Sequence, residues 1–95
     1  MAKWIYTLES GSDLREAIEN DDLEQTAKCI LKCLRELTHK LLEAGDPIKD
    51  FDIEALDDLV TEDIDSGDFD EDRLNEYLND LYDICDNYRA WIGGI

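Results

Sequence analysis

Proline and glycine are scarce in this chain of 95 residues, which contains one proline and five glycines. Their scarcity argues against a flexible linker and favours regular secondary structure. No stretch approaches the roughly 18 consecutive apolar residues of a membrane span, and the N-terminal segment lacks the apolar run of a signal peptide. The three cysteines then predict reduced thiols and a cytoplasmic location.

Positive charge is also in short supply. Nine Lys and Arg residues face 26 Asp and Glu residues, which gives a net charge of −17. Residues 1–45 carry 9 acidic and 6 basic side chains, whereas residues 46–95 carry 17 and 3. Nucleic-acid binding depends on Lys and Arg neutralising phosphates, so we expect no direct nucleic-acid partner. An anionic membrane would repel the chain as well, and its natural complement is a basic protein.

Apolar residues recur every three or four positions over most of the chain, which predicts amphipathic helices. We expect one domain, residues 1–95, with an all-α fold: a small bundle of about four helices, one short and three longer. Residues 1–10 form an extended N-terminal arm, which packs on the helices or pairs with another chain. Residues 11–45 hold helices 1 and 2, and residues 46–95 hold the strongly acidic helices 3 and 4.

Helix boundaries follow from local signals. The second helix ends at Gly45, because glycine favours the left-handed cap position and Pro47 follows. We predict the third helix over residues 53–65 and the fourth over residues 71–91. Leu42 and Leu59 are expected on the buried faces of helices 2 and 3.

An Asp-Phe-Asp triplet occurs twice, in "DFDIEAL" at residues 50–56 and in "DFDEDRL" at residues 68–74. We expect Asp52 and Asp70 to be N-caps, whose carboxylates accept from free backbone N–H groups. The preceding phenylalanine would then pack on the leucine at the fourth helical position. Capping thus explains both triplets without a ligand.

The segment "DIDSGDFDED", residues 63–72, has the composition of a calcium loop. Placing Gly67 at position 6 of an EF-hand puts Arg73 at position 12, where a bidentate glutamate belongs. We therefore expect no specific calcium site here, and only weak binding of divalent ions as the alternative.

The cysteines and the single histidine offer little chemistry. Cys29 and Cys33 lie one helical turn apart, but His39 lies about 120° around the helix from Cys33. This geometry disfavours both a zinc site and a catalytic Cys–His pair. We expect the cysteines, Cys85 included, to be packing residues, and we expect no metal, no cofactor and no enzymatic activity.

A basic strip of Lys28, Lys32, Arg35 and His39 lies opposite the apolar stripe of helix 2. A solvated face is the simplest interpretation of such a strip. The alternatives are pairing with neighbouring acids, contact with a second copy of the chain, and anion binding.

Acidic residues recur every three or four positions on the outward faces of helices 3 and 4. Like charges at these spacings cost stability, so something other than folding can maintain the pattern. We predict that this surface binds the partner. Its residues are Glu54, Asp58, Glu62, Asp63, Asp65, Asp68, Asp72, Glu76, Asp80, Asp83 and Asp86.

In size, charge and helical acidic faces, the chain resembles phage anti-restriction and anti-CRISPR DNA mimics, and the acidic immunity proteins that block bacterial nucleases. It contains no motif of those families, so no site residue is transferred from them. The resemblance implies an inhibitor that mimics nucleic-acid phosphates and blocks a basic nucleic-acid-binding protein or nuclease. The alternative is a small non-enzymatic regulatory or accessory helical module whose acidity serves solubility. A homodimer through Trp91 and Ile92, or through the N-terminal arm, is one form that this module could take.

Overall fold

The computed structural model describes residues 6–45, 51–88 and 90–92. Within them the chain forms four helices and two three-residue strands. In chain order these are β1 (Tyr6–Leu8), α1 (Gly11–Glu19), α2 (Leu23–Ala44), α3 (Phe51–Ser66), α4 (Glu71–Asn87) and β2 (Ala90–Ile92). Helix α1 is short and the other three are longer. The prediction of a small all-α bundle is confirmed. Of the predicted extended arm, residues 6–8 form a strand, and residues 1–5 lie outside the described residues.

Helix α2 is the centre of the bundle and packs against α1, α3, α4 and β1. It can do so because its apolar positions, spaced three and four apart, cover a broad stripe. Burial of that stripe against several neighbours stabilises the bundle. The buried residues of α2 are Thr26, Ala27, Cys29, Ile30, Cys33, Leu34, Leu37 and Leu41.

Both ends of α2 are capped, and the C-terminal end lies at Gly45 as the sequence predicts. The carboxylate of Asp22 accepts a hydrogen bond from the Gln25 backbone N–H at 3.2 Å. Gly45 follows the last turn with φ of 74°, and its N–H donates to the carbonyls of Leu41 and Leu42. A side chain at this φ would be strained, which explains why glycine ends the helix.

Helix α1 is capped by a side chain from α2. Ser10 makes no side-chain cap bond; instead, the Glu36 carboxylate accepts from the backbone N–H groups of Glu9 and Ser10 at 2.7 and 2.9 Å. Partial burial alone would raise the pKa of Glu36, but these two hydrogen bonds, helped by Lys40, outweigh it and lower the pKa. One ionised side chain thereby holds the start of α1 on α2.

The described strand of the predicted arm, residues 6–8, pairs within the chain. Strand β1 pairs in parallel with β2, with Tyr6 opposite Ala90 and Leu8 opposite Ile92. Helix α4 ends at Asn87, and the predicted extension to residue 91 is wrong, because Ala90–Ile92 form β2. The pairing joins the two ends of the described chain beside α2 and α4.

The two Asp-Phe-Asp triplets behave differently. Asp70 is the N-cap of α4, and its carboxylate accepts from the Asp72 N–H at 3.0 Å. Phe69 packs partly buried against the core that contains Leu74. Helix α3, however, begins at Phe51, so Asp52 lies inside the helix and the prediction of an N-cap there is wrong.

Two leucines expected in the core are exposed. Leu59 keeps 45% of its surface accessible and Leu42 keeps 63%. Each neighbours a fully buried residue, Val60 and Leu41 respectively, and one residue corresponds to about 100° of helix rotation. Both leucines therefore lie at the edges of their apolar stripes, where they are only partly covered.

Candidate functional site: the acidic surface of α3 and α4

Ten of the eleven predicted partner-binding acids are exposed on α3, on α4 or on the connection between them. Their positions follow from helical periodicity, since the same two helices bury Ile53, Leu56 and Val60 on α3, and Leu74 and Leu81 on α4. We call these ten residues the acidic surface. They are Glu54, Asp58, Glu62, Asp65, Asp68, Asp72, Glu76, Asp80, Asp83 and Asp86.

The acidic surface receives almost no neutralising charge from the rest of the described chain. Among residues 6–45, 51–88 and 90–92, the only ion pair to it joins Arg73 and Asp68 at 3.9 Å. Most cations of α1 and α2 pair with other acids, for example Arg15 with Glu19 and Lys28 with Glu24. Nine carboxylates therefore face solvent without a countercharge among the described residues.

Asp63, the eleventh predicted residue, does not belong to this surface. It is 4% exposed; Arg73 donates to its Oδ1 at 2.7 Å and the Tyr77 hydroxyl donates to its Oδ2 at 2.7 Å. Burial, followed by the hydrogen bond to Asp63, raises the pKa of Tyr77. Its prediction as a partner-binding residue is corrected: Asp63 ties α3 to α4. Its helical position, between buried Val60 and half-buried Ile64, was the sequence signal for this role.

A groove runs between α3 and α4, beside the acidic surface. Its volume is about 190 Å³. Helix α3 contributes Ala55 and the exposed Leu59, and α4 contributes Ile84 together with the polar side chains of Asp80, Asp83 and Asn87. Helical periodicity does not predict this groove, because it places Leu59 in the core. The position of Leu59, about 100° around the helix from Val60, was the available signal that its side chain lies at the edge of the apolar stripe.

A second, larger cavity of about 330 Å³ lies between α1 and α2. Carboxylates of Asp13, Glu16 and Asp22 line it, with the Lys32 side chain and Cys29 also present. Its mixed charge and its open, polar lining give it no defined ligand chemistry.

Most side chains of the basic strip of α2 contact acidic residues of the same chain. Lys28 pairs with Glu24, His39 contacts Glu43, and Arg35 reaches Asp57 of α3 at 3.6 Å. Of the alternatives for this strip, pairing with neighbouring acids is what the structure shows for these three residues. Lys32 is exposed and has no ion pair among the described residues.

The three cysteines are buried and unpaired, as expected for packing residues. Burial raises the pKa of Cys33 to about 12, and burial alone does the same for Cys85. Such thiols stay protonated at neutral pH and are poor nucleophiles and metal ligands.

In the part of the chain that the structure describes, no three His, Cys, Asp or Glu side chains are grouped so that they could hold a metal ion. Weak divalent binding at residues 63–72 stays a prediction. So does a homodimer through Trp91 and Ile92, whose side chains lie outside the described set.

None of the described helices is both long enough and apolar enough to cross a membrane.

Comparison with protein-family models, with curated proteins and with solved structures gives no match.

Proposed function

We propose that this chain is a non-enzymatic, cytoplasmic inhibitor that uses its acidic surface to occupy the nucleic-acid-binding site of a basic protein, for instance a nuclease. One observation carries the proposal: nine exposed carboxylates of α3 and α4 have no countercharge among the described residues. Most of the described Lys and Arg side chains pair with acids outside this surface, so its negative field is available to attract a partner.

The spacing of the carboxylates supports phosphate mimicry. Residues three or four apart on a helix stand about 5–6 Å apart. Successive phosphates of one nucleic-acid strand advance about 3.4 Å along the axis while they also wind around it. A row such as Glu54, Asp58, Glu62 and Asp65 therefore presents charges at intervals similar to those of a phosphate backbone.

The mechanism is electrostatic. The field of α3 and α4 steers the chain onto a groove lined by Lys and Arg, and the bound chain then excludes nucleic acid from that groove. We expect the affinity to fall steeply with salt, because screening weakens charges exposed to solvent. The three buried, free thiols agree with a reducing compartment.

Charge reversal tests the proposal. A triple variant replaces Asp72, Glu76 and Asp83 with Lys. Its affinity is measured for the partner that the wild-type chain captures. We expect at least a hundredfold loss of affinity with the helical circular dichroism unchanged. A control triple with the same change in net charge, at Asp13, Glu16 and Glu24, should keep most of the affinity.

The control separates this function from the alternative in which acidity serves solubility only. If both triples weaken capture equally, net charge rather than the acidic surface is responsible, and the proposal fails. It also fails if the captured partner does not bind nucleic acid.

A further inference from the structure

The groove between α3 and α4 combines apolar side chains with a charged border, which the rest of the acidic surface lacks. Leu59 lies there with 45% of its surface exposed, next to Ala55 and Ile84. Leaving a leucine this exposed forgoes part of the stabilisation that its burial would give. Asp80 and Asp83 border the same groove from α4 and form no ion pair among the described residues.

The size of the groove limits what it can hold. Its volume of about 190 Å³ is smaller than the roughly 300–1,000 Å³ of typical small-ligand sites. It fits one or two aliphatic side chains supplied by a larger molecule. The carboxylates at its border would repel an acidic segment and attract Lys or Arg flanking the inserted side chain.

We propose that this groove docks a basic amphipathic helix of the partner protein, with an apolar side chain inserted beside Leu59 and flanking Lys or Arg residues on Asp80 and Asp83. The proposal rests on the proposed function and deepens it, since it names the segment that is recognised and its apolar anchor. Charge alone would give a fast but weakly selective encounter. A buried aliphatic contact at the centre would add affinity and fix the register.

Two synthetic peptides test the groove. Both have about 18 residues of Leu and Lys; in one the leucines follow the i, i+3, i+4, i+7 pattern of an amphipathic helix, and in the other the same residues are scrambled. We expect the patterned peptide to bind about tenfold more tightly at physiological salt, measured by fluorescence anisotropy. Amide shifts in NMR spectra should cluster around Ala55, Leu59 and Ile84.

A matched pair of variants isolates the anchor. Leu59→Ala should reduce the affinity for the patterned peptide to that for the scrambled one. Leu42→Ala, at the other exposed large apolar residue of the described chain, should leave it unchanged. Neither change removes a buried side chain, so both variants should fold.

These experiments can disprove the proposal for the groove and leave the proposed function of the chain standing. If both peptides bind equally and Leu59→Ala changes nothing, binding is purely electrostatic and the groove is not the anchor. The charge-reversal experiment would then still decide on the acidic surface. If neither peptide binds, the proposal for the groove is wrong. It is wrong too if light scattering shows a dimer that Leu59→Ala dissociates, because the occupant is then a second copy of the chain.

Discussion

Removing charge from the outward face of α3 should make the protein more stable. The variant combines Asp58→Asn, Glu62→Gln and Asp65→Asn, which keep the size of each side chain and nearly the same helix propensity. Glu54 is retained because an acid near the start of a helix is favoured by the helix dipole. All four residues are exposed.

The structure sets the size of the effect. Three neighbouring like-charged pairs disappear: residues 54 and 58, 58 and 62, and 62 and 65. Each costs about 0.2–0.5 kcal/mol, and none of these acids has an ion pair among the described residues that would offset the cost. The free energy of unfolding should therefore rise by about 0.6–1.5 kcal/mol.

Urea unfolding at low ionic strength is the appropriate assay, because guanidinium chloride would screen the charges. With a slope of about 1 kcal/mol per molar urea for a small domain, the midpoint should rise by about 0.6–1.5 M. The gain should shrink in about 1 M salt, where the Debye length is about 3 Å. An unchanged or lower midpoint at low salt would mean that these acids support the fold. The main argument for a functional origin of the acidic surface would then be lost.

Three further predictions concern the described interior. Asp63→Asn should lower the free energy of unfolding by about 1–3 kcal/mol, because Arg73 and the Tyr77 hydroxyl lose a charged acceptor; a urea midpoint equal to wild type would contradict this. Glu36→Gln should lower the free energy of unfolding by about 1 kcal/mol at pH 7. The pKa of Glu36 in the folded state is lowered from 4.5, so the stability that its carboxylate contributes is present above pH 4.5 and is lost as the pH falls through the folded-state pKa. The free energies of unfolding of the wild type and the variant should therefore converge in acid. A difference that stays constant with pH would contradict this role of Glu36. With their pKa raised from 9.0 to about 12, Cys33 and Cys85 should have about a thousandfold less thiolate in the folded state, and a thiol reagent that labels them equally fast with and without urea would contradict their burial.

Local signals in the sequence were sufficient for most of the fold. The apolar stripe of α2 and its end at Gly45 depend on residues within one or two turns, so periodicity and capping rules locate them. The start of α4 at Asp70 was predictable for the same reason. The same capping rule gave the wrong start for α3, because the helix begins at Phe51, before Asp52.

Features that depend on contacts between distant residues could not be predicted. The pairing of Tyr6–Leu8 with Ala90–Ile92 joins opposite ends of the described chain, and no local pattern encodes it. The cap that Glu36 places on α1 and the contact of Arg73 with Asp63 depend on how helices pack. For the candidate site, periodicity predicted the exposure of ten acids correctly. It was wrong for two residues: Asp63, expected at the surface, is buried, and Leu59, expected in the core, is exposed. Both lie near the boundary of the apolar stripe, where the neighbouring helix decides burial.

The most direct test of phosphate mimicry is elution of a captured partner by nucleic acid. The chain is immobilised, loaded with lysate at low salt, and washed with either duplex DNA or polyglutamate at equal charge concentration. We predict that the duplex releases the bound protein at concentrations where polyglutamate does not, and that the released protein binds the duplex. Equal release by both polymers, or retention in excess duplex, would contradict the account, because the surface would then act as a simple ion exchanger or dock outside the nucleic-acid site.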